Sequence, residues 1–271
     1  MFFQNSFRSL LFPVASPRNV KRALPAAKHL AETLKASLTI MRVINPFHGG
    51  PKPIGEELRS LDPDGMGLDE HHLHVDANSD AATSITNYAR ERGFDAILVP
   101  PAPSAWLSGF SNNWCLTRRL MNTSPCPIWL LRQRAEEVSQ ELPARRVLCA
   151  VTGRDLEVVK MAGALSERLN ARLFLLHVIP DIHEGTLSYG FDDHISLTTA
   201  HAVKMLARLQ EEAGTRAEVI VQTGPVSSNI RKTAERLRAD LLVTGRATRS
   251  NWFAPDPFPW SMPAAYQTVV V

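Results

Sequence analysis

Short, unbroken apolar runs alternate along this chain with longer segments in which apolar residues recur every three or four positions. Leu10-Leu11-Phe12-Pro13-Val14-Ala15 is of the first kind, and lacks the polar–apolar alternation of a half-exposed strand. Such a run suits a strand of a parallel sheet buried on both faces. Arg18 to Ala36 is of the second kind, with Val20, Leu24, Ala27, Leu30, Ala31 and Leu34 on one helical stripe. Leu156 to Leu169 and His201 to Ala213 repeat the helical pattern, the latter with Val203, Leu206 and Leu209. Strand and helix in alternation predict right-handed crossovers and a doubly wound α/β sheet.

The apolar runs come twice, in the same order. Leu10–Ala15 matches Val147–Thr152 at a displacement of 137, Ser37–Ile44 matches Arg172–Ile179 at 135, and Phe94–Val99 matches Arg238–Val243 at 144. Two tandem domains follow, residues 1–135 and 144–271, joined through the polar, Glu-rich stretch Gln133 to Pro143. Each is expected to hold five parallel strands in the order 3-2-1-4-5 with three or four helices. The first differs at Asn45 to Glu70, where Gly, Pro and Asp replace most of a helix with a loop.

Composition narrows the classes. Apolar residues are 44% and charged residues 21% of 271, an ordinary globular balance. No stretch approaches the roughly 20 apolar residues of a membrane helix, so no membrane partner is expected. Gln4, Asn5, Ser6 and Arg8 interrupt the apolar N-terminus, which has neither a basic leader nor a small-residue cleavage site, and so does not read as a signal peptide. Three cysteines without CxxC spacing favour a reducing compartment, and the chain reads as cytoplasmic. The net charge of +3 is scattered rather than gathered on one face, which argues against nucleic acid.

Several segments then resemble the universal stress protein family, in particular its tandem two-domain members. In the second half they are Leu175-Leu176-His177-Val178, Thr223-Gly224-Pro225 and Ala239-Asp240-Leu241-Leu242-Val243-Thr244-Gly245-Arg246. In the first half Ser124-Pro125-Cys126-Pro127-Ile128-Trp129-Leu130-Leu131 is similar to the family's entry to its last strand. The resemblance implies an adenine nucleotide alpha-hydrolase-like fold and a stress-response role without catalysis. It also implies a site: many members hold ATP on a Gly-x2-Gly-x9-Gly-Ser/Thr loop after strand four, completed by an Asp ending strand one. Glycines there let backbone amides wrap phosphate, and the last pair opens a helix whose N-terminus favours anions.

Both halves depart from that pattern. In the first, the loop positions are Pro101, Ser104, Trp114 and Cys115, and the Asp position is Ala15. Proline lacks an amide hydrogen, and an indole fills phosphate space, so this pocket is expected to be closed to ATP. In the second, Gly245 and Gly224 remain, but Thr248, Phe258 and Pro259 take the other positions and Thr152 replaces the Asp. Any remaining nucleotide affinity is therefore placed on Val151, Thr152, Val178, Gly224, Gly245 and Arg246, with ATP binding millimolar or undetectable and no other cofactor. Arg249 is a further phosphate partner by type.

Other constellations have ordinary readings. His72, His74 and Asp76 would share one face of an edge strand, a three-ligand set, although polar side chains are common at sheet edges. His177 reads as a satisfied histidine ending a strand and Cys115 as a packed thiol. The aromatic run Trp252-Phe253 to Phe258-Pro259-Trp260 reads as a plug over the loop, or else as a sticky patch for a protein partner the sequence does not name. An ATP pyrophosphatase or ligase of the related superfamily would need a Ser-Gly-Gly-x-Asp-Ser loop after strand one. Ser16-Pro17-Arg18-Asn19 and Thr152-Gly153-Arg154-Asp155 are not that. The resemblance further implies that Ile128–Leu131 and Thr268–Val271 pair within one chain as a pseudo-dimer, with a further homodimer left open.

Overall fold

A computed structural model describes residues 7–14, 17–44, 53, 56, 59, 73–77, 80–99, 112–131, 145–153, 155–180, 191–246 and 266–271. The chain divides into two compact units, one built on Asn5–Leu142 and the other on Pro143–Val269.

The first unit runs β1 (Ser9–Val14), α1 (Pro17–Thr33), β2 (Ser37–Ile44), β3 (Leu73–Ala77), α2 (Ala81–Arg92), β4 (Ala96–Val99), α3 (Asn112–Thr123) and β5 (Ile128–Leu130). Its strands are parallel in the order β3-β2-β1-β4-β5. The second unit runs β6 (Arg146–Ala150), α4 (Leu156–Arg168), β7 (Arg172–Ile179), α5 (Phe191–Ala213), β8 (Glu218–Thr223), α6 (Val226–Leu237), β9 (Leu241–Thr244) and β10 (Gln267–Val270). Its order, β8-β7-β6-β9-β10, is the same 3-2-1-4-5 arrangement.

Burial explains the apolar runs. Leu10, Leu11 and Phe12 of β1 and Val147, Leu148 and Cys149 of β6 have no exposed surface, because each is the central strand with helices over both faces. Leu24, Ala27, Leu30, Ala31 and Leu34 are buried on the α1 side as the periodicity predicts. On α5 the stripe is Ala202, Leu206 and Leu209. Val203 is 45% exposed, a correction to the stripe read from sequence, since it lies about 100° around the helix from Ala202.

Local turns repeat as well. Lys35 (φ 46) and Asn170 (φ 50) are both left-handed. In the two turns that follow, Ala36 N–H donates to Ala31 O and Ala171 N–H to Ser166 O, each at 2.8 Å. Gly93 (φ 66) and Arg238 (φ 48) do the same after α2 and α6. Before β4, the Asp95 carboxylate accepts the Arg8 and Ser9 amides at 2.7 and 2.9 Å. Before β9, the Asp240 carboxylate accepts those of Arg145 and Arg146 at 2.8 and 3.0 Å. These polar markers align the fourth strands at a displacement of 145, correcting the 144 read from their apolar residues.

Candidate functional site

In a 3-2-1-4-5 sheet the strand order reverses between the first and fourth strands, and the carboxyl ends there open the crevice in which doubly wound folds bind ligands. In the second unit the crevice lies between β6 and β9. Pairing of Ala150 with Thr244 brings Val151 and Thr152 beside Gly245 and Arg246. Val178 and Gly224 stand on the same rim but farther round, on β7 and after β8, one and two strands from β6 or roughly 5 and 10 Å at ordinary strand spacing.

Each position has a local cause. The Val151 amide donates to Leu176 O at 2.9 Å, continuing the ladder one residue past β6. Gly224 is buried at φ 118, a backbone state that L side chains rarely adopt, and its amide donates to Ile179 O at 2.9 Å. Asn229 Nδ2 donates to Thr223 O and Pro225 O, fastening the entry to α6. At Gly245 an added Cβ would lie 3.3 Å from Val158 Cγ2 and 3.7 Å from Asp155 Oδ1, so a bare Cα lets α4 approach the end of β9. The Arg246 amide donates to Val271 O at 3.2 Å.

Two polar groups complete the crevice. Asp155, directly before α4, turns back so that Oδ2 accepts the Thr152 amide at 2.5 Å and the Thr152 hydroxyl at 2.7 Å. Oδ1 of the same carboxylate is the oxygen facing Gly245. His177 Nδ1 lies 3.0 Å from Val151 O. A carbonyl only accepts, so Nδ1 carries the proton of this hydrogen bond. The histidine is thus satisfied in the manner read from sequence. Sequence reasoning misses the Asp155 carboxylate, because the family pattern places its acid at the end of strand one, where this chain has Thr152. The signal was present as an Asp directly ahead of an apolar-periodic helix.

Elsewhere, β3 is an edge strand as expected. His74 stacks on Tyr88 at 3.9 Å and 3°, and burial is the main cause that lowers its pKa. The Asp76 carboxylate accepts the Ser84 hydroxyl. The described residues hold no group of three or more potential metal ligands, and His71 and His72 lie outside them. So do Ala15, the first-half loop 45–70 apart from residues 53, 56 and 59, Pro101, Ser104, Thr248, Arg249, Phe258, Pro259 and the aromatic run 252–260. The side chains of Trp114 and Cys115, on α3, are likewise outside the described set. No helix among the described residues is long and apolar enough to cross a membrane.

Residues 143–252 match the model of the universal stress protein family. Through this stretch the chain is similar to that family. Solved structures agree in fold over nearly the whole length. A putative universal stress protein from Pseudomonas aeruginosa UCBPP-PA14 is 15% identical with a TM-score of 0.62, covering 98% of this chain and 93% of its own. A universal stress protein from Archaeoglobus fulgidus DSM 4304 is 14% identical with a TM-score of 0.59, covering 98% and 97%. A functionally unknown protein from Pseudomonas aeruginosa PAO1 is 16% identical with a TM-score of 0.63, covering 98% and 92%. No curated protein matches the chain in sequence.

Proposed function

We propose that this chain is a universal stress protein acting as a cytoplasmic, non-catalytic binding or regulatory module of the stress response, with ATP loops that have lost their phosphate chemistry. The observation that carries this reading is the Asp155 carboxylate facing Gly245 in the second-unit crevice. A phosphate set against a carboxylate at about 4 Å near a protein surface is opposed by up to about 4 kcal/mol. The loop composition supports the same reading, since Thr248, Phe258 and Pro259 stand where the family pattern has two glycines and a Ser/Thr.

A second reading is an adenine-nucleotide sensor working through the second unit. Gly245, Gly224 and Arg246 favour it, because they keep the first part of the pattern on the correct rim. Acid extraction of the purified chain followed by nucleotide chromatography separates the two. A binding module without ATP affinity yields no stoichiometric ATP and releases no phosphate from added ATP above the buffer control. One ATP per chain establishes the sensor, and sustained phosphate release makes the chain an enzyme.

A further inference from the structure

At the amino end of the second-unit strands, away from the crevice, a cleft of about 420 Å³ opens between the turn after α4 and the turn after α5. The backbone of each turn is already used. The Asn170 and Ala171 amides donate to Glu167 O and Ser166 O at 3.1 and 2.8 Å, and those of Gly214 and Thr215 to Glu211 O and Gln210 O at 3.2 and 3.0 Å. Gly163 brings the turns together, because its bare Cα lets Thr215 pack directly on α4. A Cβ at Gly214 would meet nothing within 4 Å, so the cleft is open along that side. The side chains are not used. Glu167, Asn170 and Arg216 line the cleft, and none makes a side-chain hydrogen bond or ion pair among the described residues. Glu167 and Arg216 therefore carry opposite charges on one cleft without pairing with each other. Ser166, only 7% exposed, donates its proton to Gly163 O at 2.8 Å and keeps lone pairs that can accept. Thr215 Oγ1 is buried with no hydrogen-bond partner among the described residues, a rare state for a hydroxyl.

Two hydroxyl oxygens and a carboxylate, set at the negative ends of two helix dipoles, favour a cation that brings several N–H donors. A guanidinium and a carboxamide favour a carboxylate, which arginine takes through two parallel hydrogen bonds. A simple cation leaves Arg216 unanswered, and a polyanion is opposed by Glu167 and both helix ends. We propose that this cleft binds a free α-amino acid as its zwitterion, the ammonium against Ser166, Glu167 and Thr215 and the carboxylate against Asn170 and Arg216. No large apolar side chain lines the cleft, so small polar amino acids such as serine are preferred to leucine. The site is separate from the crevice, and the inference does not depend on how the crevice is read.

The test is titration of the isotope-labelled full chain with serine, followed through its amide NMR shifts. Serine should move the amides of Asn170, Ala171, Gly214 and Thr215 to saturation and leave those of Val151 and Gly245 in place. Ethanolamine, which lacks the carboxylate, and glycerate, which has a hydroxyl for the ammonium, should each bind about tenfold more weakly or worse. Arg216→Gln and Glu167→Gln change exposed side chains, so the fold should survive, and each should weaken serine about tenfold, the scale of one lost hydrogen bond to a charged group. Thr215→Val removes the hydroxyl and keeps the shape. It should weaken serine while the melting temperature holds or rises, a split that a merely structural hydroxyl would not produce. Absence of a saturable shift with serine, ethanolamine or glycerate binding as tightly as serine, or undiminished affinity in any of the three folded variants each overturns the proposal.

Discussion

Asp240 and Arg146 are joined twice: the Asp240 carboxylate accepts the Arg146 amide at 3.0 Å, and the Asp240 amide donates to Arg146 O at 3.0 Å. Asp95 and Ser9 repeat the arrangement at 2.9 Å in both directions. Each carboxylate also takes a second amide, so one side chain terminates the central strand of its sheet. Asp240→Ala and Asp95→Ala should each lower the unfolding free energy by about 1–2 kcal/mol, read by urea titration. The loss stays moderate because the freed amides of Arg8, Arg145 and Arg146 lie at exposed positions where water replaces the carboxylate.

Arg238 ends α6 in a left-handed state that its counterpart Gly93 adopts without a Cβ penalty. Arg238 is exposed and makes no side-chain hydrogen bond among the described residues. Arg238→Gly should therefore stabilise the chain by roughly 0.5–1 kcal/mol, although glycine in a regular helix costs stability. A rise in melting temperature verifies it.

Gly163 on α4 meets Thr215 so closely that an added Cβ would fall 2.1 Å from Thr215 Cγ2. A glycine-to-alanine change inside a helix ordinarily gains close to 1 kcal/mol. Here Gly163→Ala should instead cost about 1–3 kcal/mol by overpacking. Adding Thr215→Ser removes the offending methyl and leaves Thr215 Cβ at 3.3 Å, so the double variant should recover much of the loss. A double-mutant cycle in urea measures the coupling.

Asp80 caps α2 through the Ala82 and Thr83 amides and pairs with Arg119 at 2.5 Å. The Arg119 hydrogen bond, ahead of that from Thr83, holds its pKa at about 2 against an ordinary 3.8. A carboxyl depressed in the folded state stabilises fully above its unfolded pKa. That stabilisation is lost as pH falls from about 3.8 towards 2. Asp80→Ala should cost about 1 kcal/mol at pH 7, chiefly through the cap, because the pair is exposed to solvent. The difference from wild type should shrink below pH 3, as followed by denaturation across pH.

Cys149 is fully buried in β6, and burial, helped by the nearby Asp155 charge, pushes its thiol well above the ordinary range. Thiolate is the reactive form. Iodoacetamide should leave Cys149 unmodified in native protein and label it once urea unfolds the chain, as mass spectrometry resolves.

The paired sheets were legible because a strand buried on both faces carries its signature in every residue, as Leu10–Phe12 and Val147–Cys149 do. Register of the fourth strand was not, because four apolar residues in a row fit an apolar match at either offset, and the marker is the polar Asp95 or Asp240. Val203 was misplaced for a related reason: adjacent apolar residues on α5 leave the stripe's phase open by one position. At the crevice, glycines and strand-end residues were legible as positions in a pattern. Asp155 was not, because its role depends on a chain reversal that returns the carboxylate to Thr152 three residues back.

The aspartate that finishes each central strand lies far along the chain from the amides it holds, 86 positions from Ser9 in one unit and 94 from Arg146 in the other. During synthesis, then, β1 emerges long before the residue that secures it, and β6 waits in the same way for Asp240. In neither half is the central strand secured by residues next to it in the chain. Contacts of such sequence separation carry the loop-closure cost of most of a unit, the property that slows folding in small domains.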